Sequence, residues 1–160
     1  MQVFVVMQRT GRRIYRGYIL IFALLCFPAA FAQSGAVDGW PIFAKVKFTS
    51  RLFKKLNEYY LVPFFDQRIT SLAGTEITVK GHYIPFDGPR DQIIISKSPL
   101  ASCFFCGGAG PESVAEAILK SKAPKLKSDQ TITVKGKLKL NDKDINHMNF
   151  ILVEAEIIEN

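Results

Sequence analysis

Cys103 and Cys106 form a C-x-x-C pair that is followed directly by a glycine-rich segment. Two thiolates at this spacing can lie on one side of a tight turn and bind a single soft or borderline metal ion. The glycines allow the backbone to fold close to that ion. A helix is expected to begin just after the motif, and its N-terminus would lower the pKa of the thiols, which favours the thiolates that metals require.

The number of available ligands decides which metal such a pair can hold. Zinc binds four ligands in structural sites, whereas two or three ligands satisfy copper(I). Outside the first 32 residues, the other soft donors are His82, His147 and Met148. Zinc would therefore have to recruit His82, His147 or a side chain of a partner protein. For both histidines, a solvated surface position is the competing interpretation.

Two other interpretations of the cysteine pair are open. The pair could be a redox dithiol, as in thioredoxin-like proteins, although the surrounding βαβ pattern is missing. It could also be a structural disulfide, or two small buried residues of a loop. Covalent haem attachment is excluded because Gly107 stands where the C-x-x-C-H motif requires histidine. The sequence shows no Ser-His-Asp order, paired carboxylates or phosphate loop, so we do not expect an enzyme.

The first 32 residues have the pattern of a secretory signal peptide. An apolar run at 19–27 follows a positively charged region, and Ala30 and Ala32 supply the small residues that a signal peptidase recognises. The charged region contains Arg9, Arg12, Arg13 and Arg16. A transmembrane anchor would need about 20 apolar residues, and the stretch at 19–32 is too short for one.

Cleavage after Ala32 would change both the charge and the cysteine count. It would remove four of the 21 basic residues and none of the 14 acidic ones, which lowers the formal net charge from +7 to +3. So small an excess argues against nucleic acid as a partner. Cys26 would also leave, so one cysteine pair would reach a compartment where disulfides persist. We expect a periplasmic or secreted protein without stable membrane insertion.

After cleavage, the sequence predicts a flexible lead-in at 33–39 and one domain at 40–160. Alternating or continuous apolar residues bounded by turn residues predict strands at 40–48, 59–65, 76–86, 92–96, 131–140 and 150–157. A polar connection with a helical turn is expected at 51–57. Pro111 and the acidic residues after it suit the first turns of a helix, which is predicted at 110–120.

Two of the predicted strands carry the same five residues, because I-T-V-K-G occurs at 77–81 and again at 132–136. Both copies place a glycine in mid-strand, where it costs stability unless the strand bends sharply. Long strands that bend at a glycine are what a small closed barrel requires. Five or six strands and one short helix predict a mainly β fold built as a small OB-like barrel.

A set of aromatic, aliphatic, glycine and proline residues precedes the cysteine pair at Pro63, Phe64, Phe65, Ile69, Leu72, Gly74, Ile77, Val79, Gly81, Tyr83 and Pro85. The run C-F-F-C-G-G-A-G-P-E-S follows at 103–113. Together they resemble a family of small exported bacterial proteins of unknown function, over most of 40–157. The resemblance implies an OB-like barrel and an accessory role in metal uptake, particularly of zinc, by ABC-type transporters. The implied partner is an inner-membrane transporter or another periplasmic protein.

The sequence therefore leads to the hypothesis of an exported, non-enzymatic metal-handling accessory protein. Its metal would be zinc or copper(I), bound by Cys103 and Cys106, with His82 and His147 as candidate additional ligands. The alternatives are a thiol–disulfide protein, and a structural barrel that docks on a partner and carries a C-x-x-C disulfide.

The signal-peptide pattern predicts the N-terminus of the exported protein. We expect mass spectrometry of the exported chain to find Gln33 as its first residue, because the small residues Ala30 and Ala32 precede that bond. Ala32→Arg should block this processing, and Gln33→Ser should leave it intact. A full-length chain that begins at Met1 and stays in the membrane fraction would contradict the prediction.

Overall fold

The computed structural model describes residues 37–158, and the predicted signal peptide lies outside this range. The described residues form two short helices, α1 (Trp40–Phe43) and α2 (Gln67–Thr70). Their strands are β1 (Val37–Asp38), β2 (Lys47–Phe53), β3 (Glu58–Phe64), β4 (Glu76–Ile84), β5 (Gln92–Ser96), β6 (Val114–Leu119), β7 (Thr131–Leu140) and β8 (Phe150–Ile158). Of the predicted lead-in, only the last residues are described, and β1 pairs there with β4.

Five strands close into a barrel in the order β4-β5-β6-β8-β7, and β7 pairs again with β4. All neighbouring strands of this barrel are antiparallel except β6 and β8, which are parallel. β1 extends the sheet as an extra parallel strand on β4, whereas β2 and β3 form a separate hairpin. This is a five-stranded Greek-key barrel of the OB type, so the prediction of a mainly β, OB-like barrel is confirmed.

Alternate residues of the barrel strands point inward and form the main core, which contains Ile77, Val79, Ile93, Ile95, Ala115, Ala117, Ile132, Val134, Leu138, Leu152 and Ala155. The ring of Phe43 from α1 enters this core and stacks on Phe150, with ring centroids 4.1 Å apart. Phe48 of β2 and Phe65, which follows β3, lie at the open end of the hairpin and contact the same ring edge-on. Phe150 therefore anchors both α1 and the hairpin on the barrel.

The predicted strand at 40–48 is wrong in its first half, which forms α1 instead. Pro41 occupies an early helical position, where its missing N–H group costs nothing. Trp40 and Phe43, three residues apart, are both buried, and the indole nitrogen of Trp40 donates a hydrogen bond of 2.7 Å to the carbonyl oxygen of Lys80. The burial of Trp40 and Phe43, which are three residues apart as on one face of a helix, therefore outweighs the strand-like pattern of the sequence at this position.

The predicted connection at 51–57 is also wrong in part, because β2 continues to Phe53 before the turn begins. The hairpin is largely exposed, so its strand residues include polar side chains on both faces. The alternation by which a half-buried strand is recognised is therefore weak in β2. The predicted strand at 59–65 is confirmed as β3.

The predicted helix at 110–120 is wrong, since Pro111–Ser113 form one 3-10 turn and the following residues form β6. Ala115 and Ala117 point into the barrel core, whereas Val114 and Glu116 are buried on its outer side. A strand buried on both faces lacks apolar–polar alternation, and its alanines and glutamate favour helix in isolation. The described connection between β6 and β7 contains no helix either.

Gly81 and Gly136 lie where neighbouring strands approach closely. A Cβ atom on Gly81 would overlap the carbonyl oxygen of Ser96, and one on Gly136 would lie 3.0 Å from the Cβ atoms of Leu152 and Ala155. The pairing of β7 with β8 shifts register beside Gly136, between the pairs Lys135–Glu156 and Lys137–Val153, and the extra residue of this bulge belongs to β8. Neither glycine has a positive φ. Close packing, rather than an unusual backbone angle, therefore requires a glycine at both positions, and the bend of β7 at Gly136 stays a prediction.

We expect Gly136→Val to lower the free energy of unfolding by more than about 1 kcal/mol, because its methyl groups would enter space that β8 fills. Lys139→Val, at an exposed position of the same strand, is the matched control and should change this free energy by less than about 0.5 kcal/mol. Urea denaturation measures both changes. Equal stability of the two variants would show that β7 can move away from β8 without cost.

Candidate functional site

The C-x-x-C motif lies in a tight turn between β5 and β6. Two 3-10 turns, Leu100–Ser102 and Phe104–Cys106, flank the first cysteine. The carbonyl oxygen of Cys103 accepts hydrogen bonds from the backbone N–H groups of Cys106 and Gly108, at 3.1 and 3.2 Å. The backbone therefore wraps around the first cysteine, and this closed loop is called the cysteine turn below (residues 100–108).

Two glycines make the cysteine turn possible. Gly107 has a φ of +74°, in the left-handed region that favours glycine. Gly108 packs against the backbone of Ser102, where a Cβ atom would lie 2.7 Å from the carbonyl oxygen. These glycines therefore allow close backbone approach within the turn, whereas the approach of the backbone to a bound ion stays a prediction.

Both cysteines are free thiols, and the Sγ atoms of Cys103 and Cys106 lie 3.9 Å apart. A disulfide would require an S–S distance of about 2.05 Å. Two thiolates that bind one tetrahedral ion at about 2.3 Å each lie about 3.8 Å from one another. The observed separation of the two Sγ atoms is therefore close to that of two sulfur ligands on a shared ion. It is also compatible with a reduced pair of thiols that holds no ion.

The two sulfurs differ in their surroundings. Cys103 is fully buried on the outer side of the barrel, in a small cluster with Ile84, Ile94 and Val114. Cys106 is exposed, and its thiol donates a hydrogen bond of 3.0 Å to the carbonyl oxygen of Leu100. Any ligand or reagent from solvent therefore meets Cys106 first.

The pKa of the Cys106 thiol is raised, chiefly by its hydrogen bond with the Cys103 thiol and further by partial desolvation and by the charge of an ionised Cys103. The expectation that a helix N-terminus lowers the pKa of the thiols is wrong, because the cysteine turn leads to a 3-10 turn and a strand. The reduced Cys106 is therefore held as a thiol, and thiolate chemistry at this sulfur needs a metal ion or a base to remove the proton.

His82 on β4 is linked to the cysteine turn through one acidic residue. Its Nδ1 atom lies 3.3 Å from both the carbonyl oxygen and Oδ1 of Asp129. Oδ1 of Asp129 in turn accepts a hydrogen bond of 2.8 Å from the backbone N–H of Leu100. His82 therefore contacts Asp129, which in turn holds the backbone at the start of the cysteine turn.

His147 contacts a buried carboxylate, while its own side chain stays 38% exposed to solvent as the competing interpretation predicts. Its Nδ1 atom lies 2.8 Å from Oε1 of Glu116, and the backbone N–H of Met148 donates to Oε2 at 3.0 Å. The side-chain amide of Gln92 also donates to Glu116, which is only 1% exposed. Three N–H groups therefore satisfy this carboxylate, and they fasten the segment at 147–148 to β6.

The structure brings Cys103 and Cys106 together but does not add either histidine to them. Within residues 37–158, no three His, Cys, Asp or Glu side chains are gathered as a metal-binding group. Met148 is the one predicted soft donor that packs against the cluster around Cys103. A metal bound here would therefore have the two thiolates as its ligands, and any further His, Cys, Asp or Glu ligand would come from outside the described residues.

The sequence interpretation missed Glu116 and Asp129, which position the loops around the cysteine turn. Glu116 lay in the predicted helix, where one acidic residue in an apolar run is ordinary. Once this run is read as a strand buried on both faces, a lone charge within it signals a partner. Asp129 has a φ of +63°, and aspartate tolerates such left-handed turn positions.

Comparison of this chain with protein-family models, curated proteins and solved structures finds no match. The resemblance stated from the sequence therefore stays a prediction. In the part of the chain that the structure describes, no helix is both long and apolar enough to cross a bilayer. The fold and the site thus define a five-stranded OB-type barrel with a paired-thiol turn on its outer side.

The raised pKa of Cys106 predicts how the thiol pair titrates. In a chain carrying Cys26→Ala, we expect the thiolate of Cys106 to form with a midpoint above about 8.5, the ordinary value for a cysteine. Cys103→Ala should move this midpoint down, because it removes the thiol–thiol hydrogen bond. The pH dependence of alkylation by iodoacetamide measures it, with Cys106→Ala as the control. A midpoint below the ordinary value would contradict the contacts described here.

Proposed function

We propose that this chain is a non-enzymatic metal-handling protein that binds one soft or borderline metal ion through Cys103 and Cys106. The observation that carries the proposal is the 3.9 Å separation of the two Sγ atoms in a turn that is already closed by its own hydrogen bonds. Two ligands held at this distance lose little freedom when an ion binds, because the backbone between them is fixed.

The donor set favours copper(I) over zinc for the isolated chain. Zinc prefers four ligands, whereas soft sulfur ligands in smaller number suit copper(I). The thioether of Met148, packed against the cluster around Cys103, is a further soft donor. Zinc would need ligands from a second protein, and the exposure of Cys106 leaves room for them. We propose an inner-membrane transporter of the ABC type, or another periplasmic protein, as that partner, in an exported setting.

The position of the sulfurs also favours one alternative function. An exposed cysteine beside a buried one is the arrangement of a dithiol that exchanges disulfides through its outer sulfur. The raised pKa of Cys106 opposes this, because the thiolate is the attacking species and its fraction at neutral pH is small. Metal binding is favoured because the ion itself displaces the protons.

The test is a metal titration of the reduced protein in a Cys26→Ala background. We expect one copper(I) or zinc ion per chain, with an apparent affinity that rises with pH because binding releases thiol protons. Cys103→Ser combined with Cys106→Ser should abolish the binding and leave the fold intact, as judged by circular dichroism. Phe105→Ser, an exposed position of the same turn, is the matched control and should bind normally.

Three other results would decide against the proposal. Equal metal binding by the double serine variant would show that the thiols are not ligands. An unfolded double variant, together with an absence of thiols in the isolated protein, would establish a structural disulfide. Rapid disulfide exchange with glutathione, without metal binding, would establish the thiol–disulfide function.

A further inference from the structure

A cleft of about 250 Å³ lies beside the β2–β3 hairpin. Four consecutive residues of β3 line it, from Tyr59 to Val62. Successive side chains of a strand point to opposite faces. A cleft that touches all four residues therefore runs along the edge of β3 and not over one of its faces.

This edge of β3 has no strand beside it in the described part of the chain, where β3 pairs only with β2. In an antiparallel pair, alternate backbone N–H and C=O groups of each strand point away from the partner strand. Edge strands are usually protected by charge, bulges or a covering loop. The edge of β3 has protective residues only at its ends, Glu58 and Pro63. Between them it carries Tyr59 and Leu61, which are 70% and 51% exposed.

The opposite wall of the cleft is the segment at 142–149, which the buried Glu116 holds in place. The carboxylate accepts hydrogen bonds from the backbone of Met148 and from Nδ1 of His147, so the wall is preformed. Nε2 of His147 lies on the other side of the ring from Glu116, and His147 lines the cleft. The wall therefore offers one ring nitrogen that the carboxylate does not use.

The side chains of the cleft are mostly apolar, with a small acidic excess. Phe53, Phe104 and Ile145 contribute apolar surface, and the lining includes two acidic residues, Asp142 and Asp144, and one lysine, Lys143. Hydrogen bonds from Asn146 lower the pKa of Asp144, so this carboxylate is ionised at neutral pH. A ligand that fits has apolar side chains and a positive charge.

We propose that this cleft binds an extended peptide segment of a partner protein, which adds to the free edge of β3 as a third strand. Its backbone would pair with the outward-facing N–H and C=O groups of β3, alternate apolar side chains would enter the cleft, and a basic side chain would face Asp142 and Asp144. A peptide fits better than a small molecule because a strand edge presents backbone groups at the repeat of another strand. A third strand would also stabilise a two-stranded sheet, which is marginal alone.

The hairpin itself supplies a probe for this site. β3 already accepts the sequence of β2, K-F-T-S-R-L-F, on its other edge, and this sequence combines apolar residues with basic ones. A fluorescein-labelled peptide of this sequence should bind the full chain saturably, with a Kd of roughly 100 µM by fluorescence polarisation. Two further peptides carry N-methyl groups on alternate amides, one on the odd and one on the even positions. One of the two should lose binding, because its methylated amides are those that would donate hydrogen bonds to β3.

Two protein variants locate the bound peptide. Ile145→Arg places a bulky charge in the wall of the cleft and should weaken binding about 10-fold or more. Leu56→Arg introduces the same residue at a similarly exposed position in the hairpin turn, outside the cleft, and should bind as the parent chain does. Replacement of both Cys103 and Cys106 by serine should not change peptide affinity, so this proposal can fail or succeed independently of metal binding.

Several outcomes would overturn the proposal. The first is that the parent peptide shows no saturable binding up to about 1 mM. The second is that both N-methylated peptides bind as well as the parent peptide. The third is that Ile145→Arg and Leu56→Arg weaken peptide binding equally. Light scattering provides the remaining test. A parent chain that is dimeric, and that Ile145→Arg converts to a monomer, would show that a second copy of the chain occupies the cleft instead.

Discussion

The burial of β6 on both faces is the constraint on which the described structure depends. On the inner face, Ala115 and Ala117 are small enough for the barrel core to close around them. On the outer face, Val114 packs with Cys103, and Glu116 binds the segment at 147–148. One strand therefore positions the barrel, the cysteine turn and one wall of the cleft. A change in its register by one residue would exchange its two faces and disrupt all three.

Two acidic side chains fix the loops around the thiols. A buried carboxylate is tolerated only where hydrogen-bond donors replace the water that it loses, and Glu116 finds these donors in Gln92, His147 and the backbone of Met148. Asp129 joins His82 to the backbone of Leu100 in a similar way. Both histidines that the sequence suggested as metal ligands thus have partners that support the architecture around the cysteine turn.

The sequence predicts most of the barrel because its strands alternate, and the two I-T-V-K-G copies pair with each other across β4 and β7. It predicts the cysteine pair from spacing alone. It fails at β6 and at α1, where burial comes from contacts distant along the chain and local propensity points elsewhere. It also cannot show that Glu116 meets His147, since that contact exists only after β6 and β8 pair in parallel.

The order of the strands has a consequence for when each sulfur can react. The cysteine turn lies in the chain between β5 and β6, and Cys103 packs against Ile84 of β4, Ile94 of β5 and Val114 of β6. Both thiols are therefore accessible until these three strands have paired. Once β6 is in place, Cys103 is enclosed and Cys106 alone faces solvent. An ion or oxidant that arrives before β6 is in place meets two accessible sulfurs, and one that arrives afterwards meets only that of Cys106.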